Sequence, residues 1–271
     1  MRRFSWFNAT SITLGYAFLY IPIILLVVYS FNASRSVAVW AGWSTKWYGE
    51  MLKDQQLLDA AWVTLRVGVV SATIATILGT LAAIVLVRYG RFRGSNLFSG
   101  MIYAPLVMPE IITGLSLLLL FVAVGFDRGF WTILIAHISF TLCFAAVVVQ
   151  SRLVTFDSSL EEAAMDLGCS PAKTFMVITL PIILPAVVSA WMLAFTLSID
   201  DLVISSFTTG PGATTLPMRI YSDVRLGVSP KINAVSSVVI GVVTLAVIAA
   251  SILSKLSEER LEREKRMGGG A

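Results

Sequence analysis

Residues 156–181 read "FDSSLEEAAMDLGCSPAKTFMVITLP", a polar stretch between two long apolar blocks. Its local signals predict two short helices. Ser158 with Glu161, and Ser159 with Glu162, each fit a capping box, so a helix start is marked twice. On a helical wheel Leu160, Ala163, Ala164 and Leu167 share one face, while Glu161, Glu162 and Asp166 take the other. Gly168 is placed to end this helix in a left-handed conformation. Ser170-Pro171 then starts a second helix, with proline at the first position, where its missing N–H costs nothing. From these residues alone two readings stand. One is a helical hairpin lying on a membrane; the other is a rigid knob that offers an apolar face to a partner's groove.

The sequence outside this stretch identifies the solvent. Of 271 residues, 57% are hydrophobic and only 13% charged, and mean hydropathy is +0.84. Soluble domains carry roughly a quarter charged residues and break their apolar runs with polar faces. Here the apolar residues fall in blocks at 12–31, 63–87, 99–124, 131–149, 182–199 and 234–253. Each is long enough, or nearly so, to cross about 30 Å of hydrocarbon as a helix. None alternates as a barrel strand does. The expectation is an all-α polytopic membrane protein with six transmembrane helices. The first block follows Arg2 and Arg3, but its apolar run exceeds a usual signal peptide and no A-x-A site follows, so it reads as a retained span. Cys143 falls in a span and Cys169 in a loop, which argues against a structural disulfide.

With six spans both termini share a side. Twelve of the 20 Lys and Arg fall on that side, including Arg88, Arg91 and Arg93 in a short loop free of acids, and five in the tail "KLSEERLEREKR". The positive-inside rule puts this side, both termini and the 156–181 loop in the cytoplasm. The tail reads as a mixed-charge helix at the membrane surface. The net charge of +4 follows from this topology and carries no nucleic-acid signal.

Glu162-Ala163-Ala164, three residues, Gly168, nine residues, then Ile178-x-Leu180-Pro181 resembles the complete EAA signature of ABC importer permeases. The resemblance implies a type I ABC importer permease fold. It also implies that the loop is a coupling helix seated in a cleft of an ATP-binding subunit, with Glu162, Ala163, Ala164, Gly168, Ile178, Leu180 and Pro181 as the coupling positions. It extends through "IPIILLVVYSFN" (21–32), "WAGWSTKWYGEML" (40–52), "APLVMPEIITGLSLLLLF" (104–121) and residues 193–234, where it is closer to polyamine permeases than to sugar or phosphate ones. The implied activity is uptake of a polyamine, putrescine first and spermidine next, by alternating access across a bacterial inner membrane. The implied partners are a second homologous permease, two ATP-binding subunits, a periplasmic polyamine-binding protein and membrane lipid.

Candidate site residues stand out as polar groups in apolar surroundings. Asp200 and Asp201 are adjacent at the end of the fifth block. A carboxylate in hydrocarbon is costly unless paired. The two either sit at a wet helix end or pair with Arg66 or Arg225, or at least one lines a path for cations. The resemblance favours the path and adds Ser198 to it. Glu110 follows Pro105 and Pro109, which break the helix ladder; it either caps the helix over 110–121 or lines the same route. Trp40, Trp43, Trp47 and Tyr48 form either an interfacial belt or a cage for a cation, with Trp40 the pathway candidate. His137 reads as a hydrogen-bonded packing residue. Gly68, Ser71, Ala72, Ala75, Gly79 and Ala83 make a small-residue stripe for close helix packing.

The chain carries no metal-ligand spacing, phosphate-binding glycine loop or nucleophile elbow. It is expected to have no catalytic activity or cofactor of its own, with ATP bound by partner subunits. Its expected parts are an N-terminal helix and external segment at 1–62, a permease core at 63–254 and a charged tail at 255–271. Permeation of another organic cation or small metabolite, or secondary transport driven by an ion gradient, is the alternative; the EAA signature argues against the gradient.

Overall fold

The computed structural model describes residues 6–37, 39–90, 92–227, 229–245 and 248. The charged tail, the end of the sixth apolar block, and Arg2, Arg3 and Arg91 of the charge count lie outside the described residues.

Helices account for the described architecture. They are α1 (Trp6–Tyr29), α2 (Lys46–Lys53), α3 (Gln55–Arg88), α4 (Ser95–Val107), α5 (Glu110–Val124), α6 (Phe130–Val154), α7 (Ser159–Asp166), α8 (Pro171–Thr174), α9 (Leu180–Ile199), α10 (Val203–Thr208), α11 (Leu216–Leu226) and α12 (Pro230–Leu245). No strand occurs among the described residues. The described residues form two compact units, one from those within 56–221 and one from those within 1–55 and 222–271.

Four helical stretches are long and apolar enough to cross a bilayer unaided: α1, α3, α6 and the run Pro171–Ile199. The third apolar block departs from a simple span. It is split into α4 and α5, which meet at a bend of 116°. Pro109 is the cause. It has no N–H to give the preceding turn, and it forces Met108 into an extended conformation (φ −75°, ψ 135°). Pro105, by contrast, stays within α4. The sixth block is helical over Pro230–Leu245. The described helices therefore give four single spans, one broken pair and one shorter apolar helix.

The larger unit is built on the small-residue stripe. Ser71, Ala72, Ala75 and Ala83 are fully buried along α3. A Cβ on Gly79 would stand 2.8 Å from the Ala146 backbone nitrogen, so α3 and α6 touch backbone to backbone. A Cβ on Gly68 would stand 3.2 Å from side-chain carbons of Phe195 and Ile199 of α9. Without a hydrophobic drive between helices in lipid, such close packing is the main source of association. A cluster of Ala83, Ala145, Val149, Leu153, Ile183 and Ala190 completes the packing of α3, α6 and α9.

In the other unit, α1 has no buried residue, as expected of a helix facing lipid. Asn32 is fully buried beyond its end and organises the turn. Its amide donates to the Ser36 and Val39 carbonyls and accepts from the Ser34 and Ala41 N–H groups. Lys231 of α12 pairs with Asp54, which caps α2.

Candidate functional site

The 156–181 loop takes shape from local chemistry and one tertiary contact. Helix α7 ends in a Schellman motif. Cys169 N–H donates to the Ala164 carbonyl at 3.1 Å and Gly168 N–H to the Met165 carbonyl at 2.9 Å, with Gly168 at φ +87°. Ser170 caps α8 by accepting from the Lys173 N–H, with Pro171 at the first position. The capping boxes expected at the start of α7 do not form. Ser158 makes no side-chain cap, and the Asp157 carboxylate accepts the Ser159 N–H at 3.0 Å instead. Hydrogen bonds from Ser159 hold the Asp157 carboxyl below its ordinary range. Glu161 is unavailable for capping because Arg88 and Thr179 take it.

Nor is the second helix a short, separate one. It runs from Pro171 to Ile199 through a π-helical turn at Phe175–Thr179. Leu180 N–H reaches back five residues to the Phe175 carbonyl. The wider turn precedes Pro181, which lacks the N–H for a regular bond and would crowd the carbonyl four residues back. Of the signature positions, Glu162, Ala163 and Gly168 are exposed, Ala164 is buried, and Ile178, Leu180 and Pro181 lie in or just after this turn. Leu160 and Leu167 are open to the surroundings, so the apolar face of α7 is only partly covered.

A second group of candidates gathers where α9 ends. Glu110, Asp200 and Asp201 line one cleft of about 230 Å³ with Phe140, Leu197, Leu202 and Val203. Chain order hides this grouping. The α4–α5 bend sets Glu110 at the first position of α5, and the stop of α9 at Ile199 places the aspartates opposite it. The two aspartates differ in kind. Asp201 is 8% exposed and saturated: it accepts from Ile204 N–H at 3.1 Å, Ser205 N–H at 2.7 Å and the Ser205 hydroxyl at 2.8 Å. His137 Nε2 lies 3.3 Å from the same carboxylate. These bonds cap α10 and dock it on α6. Asp200 and Glu110 are exposed and have no ion-pair partner among the described residues.

Arg66, considered as a partner for the aspartates, is engaged elsewhere. It lies 4.9 Å from the centre of the Phe130 ring, and the partner of Asp201 is His137. His137 is buried and bonded at both nitrogens, to Ser198 Oγ at 2.6 Å and Ser205 Oγ at 3.0 Å. Ser198 continues to Ser71 of α3 at 3.1 Å, so one polar chain from Ser205 to Ser71 links four helices, α10, α6, α9 and α3. Ser198 is thus buried in this network. Trp40 lies in the other unit, where its ring meets Trp43 edge-on at 5.0 Å and Tyr29 at 5.8 Å. The cation beside these aromatics is Lys46, which sits 4.5 Å over Trp47. Trp47 itself is buried and donates to the Asn32 carbonyl at 2.7 Å.

Residues 75–263 fit the family described as "Binding-protein-dependent transport system inner membrane component". The chain belongs to this family. The permease is 55% identical over 264 residues to the putrescine transport system permease protein PotI of Escherichia coli (strain K12), covering 95% of this chain and 94% of that one. It is 46% identical over 255 residues to the spermidine/putrescine transport system permease protein PotC of Shigella flexneri, covering 94% and 93%. Its fold matches a bacterial ABC transporter involved in the import of the acidic polysaccharide alginate, with a TM-score of 0.70 at 17% identity, over 91% of this chain and 92% of that one. It is an all-α, multi-pass component of an ABC importer and a transport protein rather than an enzyme.

Proposed function

We propose that the permease carries putrescine into the cell by alternating access. It would work beside a second homologous permease, two subunits that bind ATP and a periplasmic binding protein. The observation that carries this reading is the 55% identity, spread over nearly the whole chain, to a putrescine permease. Spermidine is the second reading, favoured by the 46% identity to a spermidine/putrescine permease. Both termini and the 156–181 loop lie on the cytoplasmic side in this arrangement, and the loop docks on the ATP-binding subunit through Glu162, Ala163, Ala164 and Gly168. Ile178, Leu180 and Pro181 join the loop to the span that follows.

The acid cleft supports the choice of a cationic substrate. Asp200 and Glu110 present to one space carboxylates that have no ion-pair partner among the described residues, suited to the separated ammonium groups of a diamine. Asp201 and Ser198 form the wall behind them through His137. Trp40, 39% exposed, offers a ring face to a cation in the other unit. Each contact must be weak enough to release the substrate when the permeases swing inward.

The test is uptake of radiolabelled putrescine by the complete transporter in proteoliposomes with ATP inside. Uptake should need ATP and the binding protein, survive collapse of ion gradients, and fall when spermidine competes. Loss of uptake on collapse of the gradient, with ATP still present, would overturn the proposal in favour of secondary transport.

A further inference from the structure

We propose that Arg88, Glu161 and Thr179 form a strut that carries movement of α7 into α3 and α9. The inference rests on the reading that the 156–181 loop docks on an ATP-binding subunit. It adds residues outside the signature positions and gives them a role the signature does not assign.

The geometry begins with two consecutive carboxylates of α7 that differ in exposure. Glu162 is exposed, whereas the Glu161 side chain is 12% exposed and directed into the bundle. Both Glu161 oxygens are engaged. The Arg88 guanidinium grips them as a fork, one nitrogen to each oxygen, and the Thr179 hydroxyl donates to Oε1. Arg88 is the last residue of α3, where a cation is favoured by the helix dipole. Its guanidinium lies 5.4 Å from the centre of the Phe156 ring, and Phe156 packs on the core cluster shared by α3, α6 and α9. Thr179 is 1% exposed and closes the π-helical turn. One carboxylate therefore fastens α7 to the ends of two long helices that run on towards the acid cleft.

The rest of the loop is built to move. Gly168 breaks the helical path on one side of α7, and an irregular link at Thr155–Ser158 does so on the other. Backbone continuity alone would let α7 follow a docked partner while the bundle stayed still. A bidentate, ring-backed ion pair resists both sliding and rotation, which a lysine in place of the arginine does not.

The experiment uses the complete transporter in proteoliposomes, reading ATP hydrolysis, putrescine uptake per ATP, and a cross-link from Ala163→Cys to the ATP-binding subunit. Arg88→Lys and Glu161→Gln should keep the cross-link and stimulated hydrolysis while uptake per ATP falls by roughly tenfold, a size expected of residues that link distant sites. Exchanging the pair, Arg88→Glu with Glu161→Arg, should recover most of the loss. Thr179→Val, which keeps the shape and removes one hydroxyl, should lower uptake per ATP by about twofold and reads the strut even where a charge variant assembles poorly. Unchanged uptake per ATP in all three single variants overturns the strut and leaves docking intact. Loss of the cross-link in the single variants also overturns it, because the pair then belongs to the docking surface. Absence of the cross-link in the unmodified pair defeats the docking reading itself, and the strut with it.

Discussion

Adjacent residues with the same side chain do different work at the end of α9. Asp201 is spent on its fold: both oxygens are bonded and His137 closes the remaining side. Asp201→Asn would turn an N–H₂ group towards donors that need an acceptor, costing about 1–3 kcal/mol. The expected outcome is less assembled complex and a lower unfolding temperature, with uptake per surviving complex near normal. Asp200→Asn and Glu110→Gln remove charges that hold nothing together among the described residues. They should leave abundance unchanged and lower putrescine uptake per complex by about tenfold, the effect of one lost charge-assisted bond. Normal uptake per complex in both would remove the cleft from the substrate path. That the two aspartates need not share a role follows from the turn of about 100° between neighbours on a helix, but which one is spent on the fold does not. Asp200 and Asp201 look equivalent in sequence, and the partner that separates them, His137, lies on another helix.

At the scale of elements, the stripe on α3 sets how near its neighbours come. A methyl on Gly79 meets backbone atoms of α6 that cannot turn aside, so Gly79→Ala should destabilise the bundle by about 1–3 kcal/mol. Thermal unfolding in detergent would check this; an unchanged midpoint would contradict the packing. The hinge of the loop is equally exposed to test. Gly168 stands at φ +87° with open space around it, so Gly168→Val is resisted by its own backbone rather than by any neighbour. The permease should reach the membrane in normal amount but hydrolyse ATP without matching uptake. The Glu161 contact adds a pH dependence. Arg88, chiefly, holds its carboxyl below the ordinary value of 4.5, so the attachment of α7 is strengthened above that value and lost as pH falls through the lowered one. Protection of the α7 amides, measured against their intrinsic exchange rate at each pH, should therefore hold at pH 5 and fall under stronger acid, and Arg88→Ala should move the change upward.

Elements announced by their own residues were readable before the structure. Gly168, Ser170-Pro171 and the break at Pro109 each act within a turn of their own position. The expected Ser158 box failed because a residue from α3, more than seventy positions away, captured Glu161, and at Ser159 the Asp157 carboxylate took the N–H first. The π-helical turn left no pattern in hydrophobicity at all.

For the whole molecule, charge distribution is the testable statement. Reporters fused at Gly94 or Pro171 should read as cytoplasmic, and those near Lys46, Asp127 or Gly212 as external. A cytoplasmic reporter at Gly212 would reverse the end of α9 and the depth of its acids. Apolar block length found the long helices α1, α3 and α6 but passed over the bend of 116° between α4 and α5, because hydropathy averages across a break that one proline makes.

The π-helical turn at Phe175–Thr179 has a consequence for register. Each residue added to a helix rotates everything beyond it by about 100° and advances it by about 1.5 Å. The wide turn absorbs one residue, so it sets the compass bearing of the cleft end of α9 relative to Pro171 at the loop, along one continuous helix. Deleting Met176 or Val177 would restore a regular spiral and leave every side chain assigned a role above in place. The loop and the cleft would then point along bearings that no longer agree, and a chain with all its parts would fail through phase alone.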